Sequence, residues 1–256
     1  MNPKMRLILD PARSAALNMA IDECLMESQV LPDVRPVLRF YSWDQPAYSI
    51  GYFQKVSEIA ERFHLSDPNI PIVRRLTGGG LVKHGHDLTF SIAAKDSHSY
   101  FSCGAKNSYL KVNEAVRLGL KPLYPTIDYA DCKSIPLGRG KGNRVCFEDP
   151  VCYDLLLNGK KIVGASQRRK NGIVLHQSSI HLSGDPKIIL KNIIEGFKEC
   201  WKIELIEEPL TEKELETSKQ KEKERYTSNN WTHRPRNTIF QHPRASSPSE
   251  NFASAG

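Results

Sequence analysis

Residues 146–177, CFEDPVCYDLLLNGKKIVGASQRRKNGIVLHQ, put a thiol and a pair of ammonium groups into one short stretch of chain. A thiol beside a cation has a lowered pKa and spends more of its time as thiolate, the form that attacks thioesters and activated acids. Between the two kinds of group, Asn158-Gly159 separates two runs of strand-forming residues. That dipeptide suits a type I′ turn, whose two central positions both need positive φ. The spacing predicts a hairpin in which Lys160 and Lys161 open the returning strand. Cys146 lies just before the outgoing strand, on the far side of Pro150, so a thiol and an ammonium can meet above one sheet face.

A second stretch, RRLTGGGLVKHGHDLTFS at residues 74–91, offers different chemistry. Gly78, Gly79 and Gly80 lack Cβ atoms, so the backbone can touch a ligand, present open N–H groups and adopt positive φ at small cost. A ligand lying there must be flat or chain-like. Arg74 and Arg75 supply donors for a phosphate or carboxylate, and His84 can hydrogen-bond a carbonyl or move a proton. The triplet fits a plain hairpin turn equally well, and it lacks the Gly-Lys-Ser/Thr ending of a Walker loop.

These groups need elements to hold them. Asp10 and Ser14 can cap a helix in which Leu17, Ala20, Ile21, Cys24 and Leu25 recur at helical spacing, with Asp22 and Glu23 facing away from that stripe. Residues 36–54 are rich in aromatic and β-branched types and read as two strands joined by a turn at 44–46. A short helix over 56–63, a strand over 70–75 running into the glycine triplet, and a returning strand over 88–93 follow. Helices are predicted over 108–118 and 186–201, the latter with Asp185 as N-cap and Pro186 at its first position. Strands outnumber helices without alternating strictly with them. That pattern predicts an α+β fold, a mixed and largely antiparallel sheet covered by helices.

With 256 residues and 39% apolar content, the chain can bury a sizeable core. Its net charge of +7 suits an anionic partner without saying which. No apolar run reaches the length of a membrane span and no signal-peptide pattern opens the chain, so a cytoplasmic location and no membrane partner are expected. The six cysteines show no CxxC or finger spacing and are expected to stay thiols, and no Cys/His grouping argues for metal. From Thr211 the composition turns polar and rich in charge, Ser and Pro. Such a segment has little apolar surface to offset its ordering entropy. The expected division is therefore a folded domain over 1–210 and a polar, disordered tail over 211–256, whose start from Thr211 to Arg225 can form a charged helical stub.

Taken in order, four blocks resemble the lipoate and biotin protein ligase superfamily, and within it the lipoate-attachment branch. They are Asn18-Met19-Ala20-Ile21-Asp22-Glu23, the stretch from Leu38 through Trp43 and Pro46 to Gln54, the RRLTGGG block to His84, and residues 146–177. Cys146-Phe147, Pro150 and Tyr153-Asp154 ahead of the hairpin are similar to the pattern of octanoyltransferases that use a cysteine nucleophile. Val151 departs from it, because a small serine is commoner there.

The resemblance implies a mechanism. Octanoyl-acyl carrier protein would place its chain beside Gly78–Gly80, Cys146 would attack the thioester, and Lys161 would orient the carbonyl, while Lys160 is a solvated hairpin charge. Arg74, Thr77, Gly80 and His84 would line the pocket, and the acceptor would be a lipoyl-domain lysine, foremost that of the glycine cleavage H protein. Cys152 is the rival nucleophile; His176 and His181 read as ordinary strand histidines. The transferase needs no cofactor. An ATP- and magnesium-dependent lipoate ligase, an amidotransferase between lipoyl domains, and a silent carrier-binding protein are the alternatives. A nucleic-acid role is not expected, since no helix-turn-helix precedes the first block.

Overall fold

A computed structural model of the chain describes residues 2–131, 147 and 150–233. Its elements run β1 (Lys4–Leu9), α1 (Ala15–Ser28), β2 (Val37–Tyr41), β3 (Ala47–Ile50), α2 (Val56–Arg62), β4 (Ile72–Arg74), β5 (Val82–His84), β6 (Leu88–Lys95) and α3 (Gly104–Leu120). They continue with β7 (Asp128–Tyr129), β8 (Leu155–Leu157), β9 (Lys160–Lys161), β10 (Val163–Lys170), β11 (Ile173–Ile180), α4 (Pro186–Trp201), β12 (Glu204–Glu207), α5 (Glu212–Lys221), a π-helical turn (Glu222–Tyr226) and α6 (Asn229–Thr232). The main sheet has six strands in the order β10-β11-β6-β2-β1-β12; β1 pairs parallel with both its neighbours and the other pairs are antiparallel. Two small sheets, β4-β3-β5 and β7-β8-β9, carry the glycine loop and the lysine hairpin. This is the mixed α+β architecture the sequence predicts.

One face of the main sheet packs on α3 and α4, where Phe40, Phe90 and Ile92 meet Val112, Val116 and Phe197 in an apolar cluster removed from water. On the other face, Ile21 and Leu25 of α1 pack against Val37 and Ala93. The caps form as their residue types require. Ser14 Oγ accepts from Leu17 N at 3.1 Å, and the Asp185 side chain accepts from Lys187 N at 2.8 Å with Pro186 behind it.

The two strands expected over 36–54 form as β2 and β3 on either side of residues 44–46, β2 inside the main sheet and β3 in the middle of a small one. Two expectations need correction. Asp22 and Glu23 do not face away from the packed side of α1 but are 1% and 3% exposed. Asp22 accepts hydrogen bonds from Arg39, Ser91, Tyr41 and Gln177, partners on three separate strands that repay its burial. Nor is the chain beyond Thr211 a loose tail as far as residue 233. Thr211 and Glu214 close a capping box on α5, which packs against α1. Lys221 and Arg225 pair with Glu27 and Glu23, and Trp231 is buried. Residues 234–256 lie outside the described part.

Candidate active site

The glycine loop is held from outside by two arginines. Arg74, at the end of β4, is fully buried and donates to the carbonyls of Gly51, Tyr52, Gln54, Trp231 and Thr232. Trp231 returns the contact, its indole N–H donating to Arg74 O at 3.0 Å. Arg74 therefore ties the loop to the C-terminal helices. Arg75 Nη2 donates to Gly78 O and Gly80 O at 2.8 and 2.7 Å, and its Nη1 to Ser49 O and Ser49 Oγ at 3.0 Å. Gly79 has φ of 86°, and a Cβ on Gly51 would sit 2.1 Å from Gly79 O, so side chains at either place would break the close approach of these two segments. Thr77 Oγ1 accepts from Ser166 Oγ at 2.8 Å and donates to Gln177 Oε1 at 2.7 Å. Thr77, Gly78 and Gly80 thus hold Arg75, Ser166 and Gln177, which line the cavity beside the loop.

His84 stands between two cavities. The inner one, about 30 Å³, runs from Met19 and Tyr41 past Ser49 and Arg75 to Ser166 and Gln177. That is room for about one water. The outer one, about 550 Å³, is bounded by Leu81, Lys83, Phe147, His181 and Leu182, and lies within the roughly 300–1,000 Å³ of small-molecule sites. The His84 ring stacks on Trp43 with centroids 3.8 Å apart, Nδ1 lies 2.7 Å from Asp87 Oδ2, and Nε2 lies 2.8 Å from Ser49 Oγ. Burial pushes the His84 pKa down against the pull of Asp87, so the ring is neutral, donates to Asp87 and accepts from Ser49. Burial alone would raise the Asp87 carboxyl, but hydrogen bonds from His84, Ser179 and Thr89 hold it well below the usual carboxylate range.

The lysine hairpin forms as expected: Asn158 and Gly159 take φ of 51° and 77°, and Leu157 pairs with Lys160. Lys160 is exposed. The Lys161 side chain is 4% exposed and its Nζ lies 2.6 Å from Asp154 Oδ2, whose own side chain is fully buried. Val151 N and the Tyr109 hydroxyl also donate to Asp154. Lys161 Nζ lies 5.9 Å from the centroid of the Phe147 ring, which bounds the outer cavity. Cys146 itself lies outside the described residues. Cys152 is disulfide-bonded, which corrects the expectation that every cysteine is a thiol and removes it as a nucleophile in this state, while Cys24, Cys103 and Cys200 are free.

Sequence reasoning missed Asp154, Ser49 and the Asp87-Ser179-His181 run. A single signal was available, the alternation of Ser179 and His181 along one face of β11 and its extension. His176, two positions before Ser178, does prove to be an ordinary strand histidine, buried against Phe90 and bonded to Gln167 and Ser178. Among the described residues no three His, Cys, Asp or Glu side chains are grouped to hold a metal ion, and no helix is long and apolar enough to cross a membrane.

Residues 14–208 match the lipoyl protein ligase A/B catalytic domain, and the chain belongs to that family. Among its curated relatives, Octanoyltransferase LipM of Oceanobacillus iheyensis is 36% identical over 183 residues, 72% of this chain and 66% of the relative. Octanoyltransferase LipM of Carboxydothermus hydrogenoformans is 30% identical over 260 residues, 86% of this chain and 95% of the relative. Solved structures share the fold: a lipoate-protein ligase A bound with ATP superposes with a TM-score of 0.72 at 23% identity, covering 91% of this chain and 99% of its own. A bipartite lipoate protein ligase of Thermoplasma acidophilum, described together with its lipoyl domain, gives 0.67 at 22% identity over 90% and 96%.

Proposed function

We propose that this protein is an octanoyltransferase of lipoate biosynthesis that works through an acyl-enzyme on Cys146, with Lys161 as the cation beside the reacting carbonyl. The observation that carries the reading is the buried Lys161–Asp154 pair, fixed at 2.6 Å and set beside Phe147, the residue that follows Cys146 in the chain. A buried ammonium is costly unless it is paired. Set beside Phe147, which bounds a cavity of ligand size, it supplies a fixed positive charge where an oxyanion develops.

The donor is octanoyl-acyl carrier protein and the acceptor a lipoyl-domain lysine, as in the glycine cleavage H protein. The net charge of +7 suits acidic carriers of both kinds, steering them to the surface. The Cys146 thiolate attacks the thioester carbonyl, the tetrahedral oxyanion faces the Lys161 ammonium, and the carrier's thiolate leaves with the electron pair of the broken C–S bond. The acceptor amine then attacks the new thioester, and the C–S bond breaks to return Cys146. Exchanging one thioester for another costs little, and amide formation draws the sequence forward. The transferase works in the cytoplasm without cofactor.

The ligase alternative places lipoyl-adenylate in the loop from Arg74 to His84, where Arg74 and Arg75 would be the donors at hand for its phosphate. Their guanidinium groups instead bind backbone carbonyls around the loop. The test is transfer from octanoyl-acyl carrier protein to a purified lipoyl domain under reducing conditions, with and without ATP. Equal octanoylation in both supports the transferase; octanoylation that appears only from free octanoate and ATP overturns it.

A further inference from the structure

His181 follows β11, and its backbone N–H donates to Ile162 O at 2.8 Å, which sets it beside the lysine hairpin. Its Nε2 lies 2.9 Å from Ser179 Oγ, and Ser179 Oγ lies 2.6 Å from Asp87 Oδ2. A hydroxyl has one proton to give. Ser179 gives it to the ionised Asp87, so its oxygen must accept from His181, which fixes the proton on Nε2 and leaves the lone pair on Nδ1. No hydrogen bond from a described residue reaches Nδ1, nor is this atom a buried orphan. The ring bounds the outer cavity and lies against Phe147, centroids 4.0 Å apart, with Lys161 Nζ on the same phenyl ring at 5.9 Å. This is the logic of a base oriented by a carboxylate, with a serine hydroxyl inserted between them.

We infer that His181 is the base of the second half-reaction, its Nδ1 accepting the proton that the acceptor lysine loses as its amine attacks the acyl group. The inference rests on the acyl-enzyme reading above. In the step, the neutral amine adds to the Cys146 thioester and Nδ1 takes one N–H proton. The amide forms as the C–S bond breaks, and the thiolate leaves with the bonding pair, facing Lys161. The imidazolium then gives its proton to solvent, which balances the proton taken up by the released carrier thiolate, and Cys146 is left as the thiolate that began the cycle. Burial pushes the His181 pKa down against the pull of Asp87, with His84 acting in the same direction as burial, so the ring is neutral and able to accept a proton. The first half-reaction does not call on it, because a thiolate displaces a thiolate with no net proton transfer to a base.

The two half-reactions can be read separately in the full chain under reducing conditions. Enzyme is charged with octanoyl-acyl carrier protein, the adduct followed by intact mass, and the adduct then discharged either by a lipoyl domain or by hydroxylamine. Hydroxylamine is already deprotonated at neutral pH and needs no base. His181→Gln keeps a side-chain N–H for Ser179 but cannot carry a proton. The expected result is charging and hydroxylamine discharge within about twofold of the unmodified protein, and discharge to the lipoyl domain slowed roughly 10²-fold or more. Imidazole added to His181→Ala should restore part of that rate. Ser179→Ala, which keeps the ring and loosens its tautomer, should give an intermediate loss in the same step alone. Unchanged lipoyl-domain discharge in His181→Gln overturns the inference, as does an equal loss in all three steps, which would mean a structural role. Absence of any adduct in the unmodified protein would instead overturn the acyl-enzyme reading, and the base role with it.

Discussion

At the scale of single residues, the account rests on Lys161 and its counter-ion. Asp154 is fully buried and Lys161 nearly so, and neither charge has water to fall back on. Removing one member leaves the other buried and uncompensated, at a cost of about 3–5 kcal/mol, whereas replacing both with apolar groups of similar volume is often neutral. Asp154→Leu should therefore shift the urea midpoint by an amount of that size. The double variant Asp154→Leu, Lys161→Met should recover most of it and still charge with octanoate about 10²–10³-fold more slowly, the loss expected when one oxyanion donor is removed. Recovery of activity along with stability would assign the pair to the fold alone. The lysine and its hairpin were legible because Asn-Gly dictates a turn whatever surrounds it. Asp154 was not, because nothing in Tyr153-Asp154-Leu155 says that the hairpin folds its lysine back over its own first strand.

At the scale of elements, the C-terminal helices are part of the site's frame. Arg74 and Trp231 exchange hydrogen bonds between side chain and backbone in both directions, and the Tyr52 and Trp231 rings meet edge to face at 6.0 Å. Trp231→Ala would remove a buried aromatic, at about 3–5 kcal/mol, and loosen the support of Arg74. The expected outcome is a lowered melting temperature and a raised KM for the octanoyl donor, with kcat for bound substrate less affected. Trp231→Phe, which fills most of the space, should keep KM near its normal value. Unchanged KM in Trp231→Ala would free the glycine loop from any dependence on these helices. The polar reading of this segment failed for a physical reason: α5 and the turn after it are held by capping and by Lys221 and Arg225 against Glu27 and Glu23, with one large aromatic instead of an apolar stripe. The partners of Arg74 were hidden for a related reason. Sequence names a guanidinium but not which carbonyls the fold brings within its reach, and the burial of Asp22 likewise depends on Arg39, Ser91 and Gln177, far away in the chain.

At the scale of the whole molecule, the architecture was legible because local signals agreed with one another: caps at Ser14 and Asp185, a turn at Asn158-Gly159, and strands on either side of the glycine loop. What sequence could not give was the stacking of Trp43 on His84 and the run of hydrogen bonds from His84 through Asp87 and Ser179 to His181. The main sheet also carries a built-in sensitivity to acid. His176 is fully buried in β11 and burial pushes its pKa from the ordinary 6.5 down to about 3. Between those values the unfolded chain binds a proton that the folded chain does not. Stability therefore falls as pH drops below about 6.5, by up to about 1.4 kcal/mol for each unit, until the folded pKa is reached. His176→Gln should remove that share of the slope when urea midpoints are compared between about pH 6.5 and pH 5, where most carboxylates do not yet titrate. An unchanged slope would mean that His176 takes its proton in the folded state.

The central claim is an acyl-enzyme on one cysteine, and intact mass after incubation with octanoyl-acyl carrier protein, without ATP and with reductant present, tests it most directly. The account predicts one octanoyl adduct in the unmodified protein and in Cys152→Ser, and none in Cys146→Ser. An adduct that persists in Cys146→Ser, or transfer to a lipoyl domain at full rate by that variant, would contradict it.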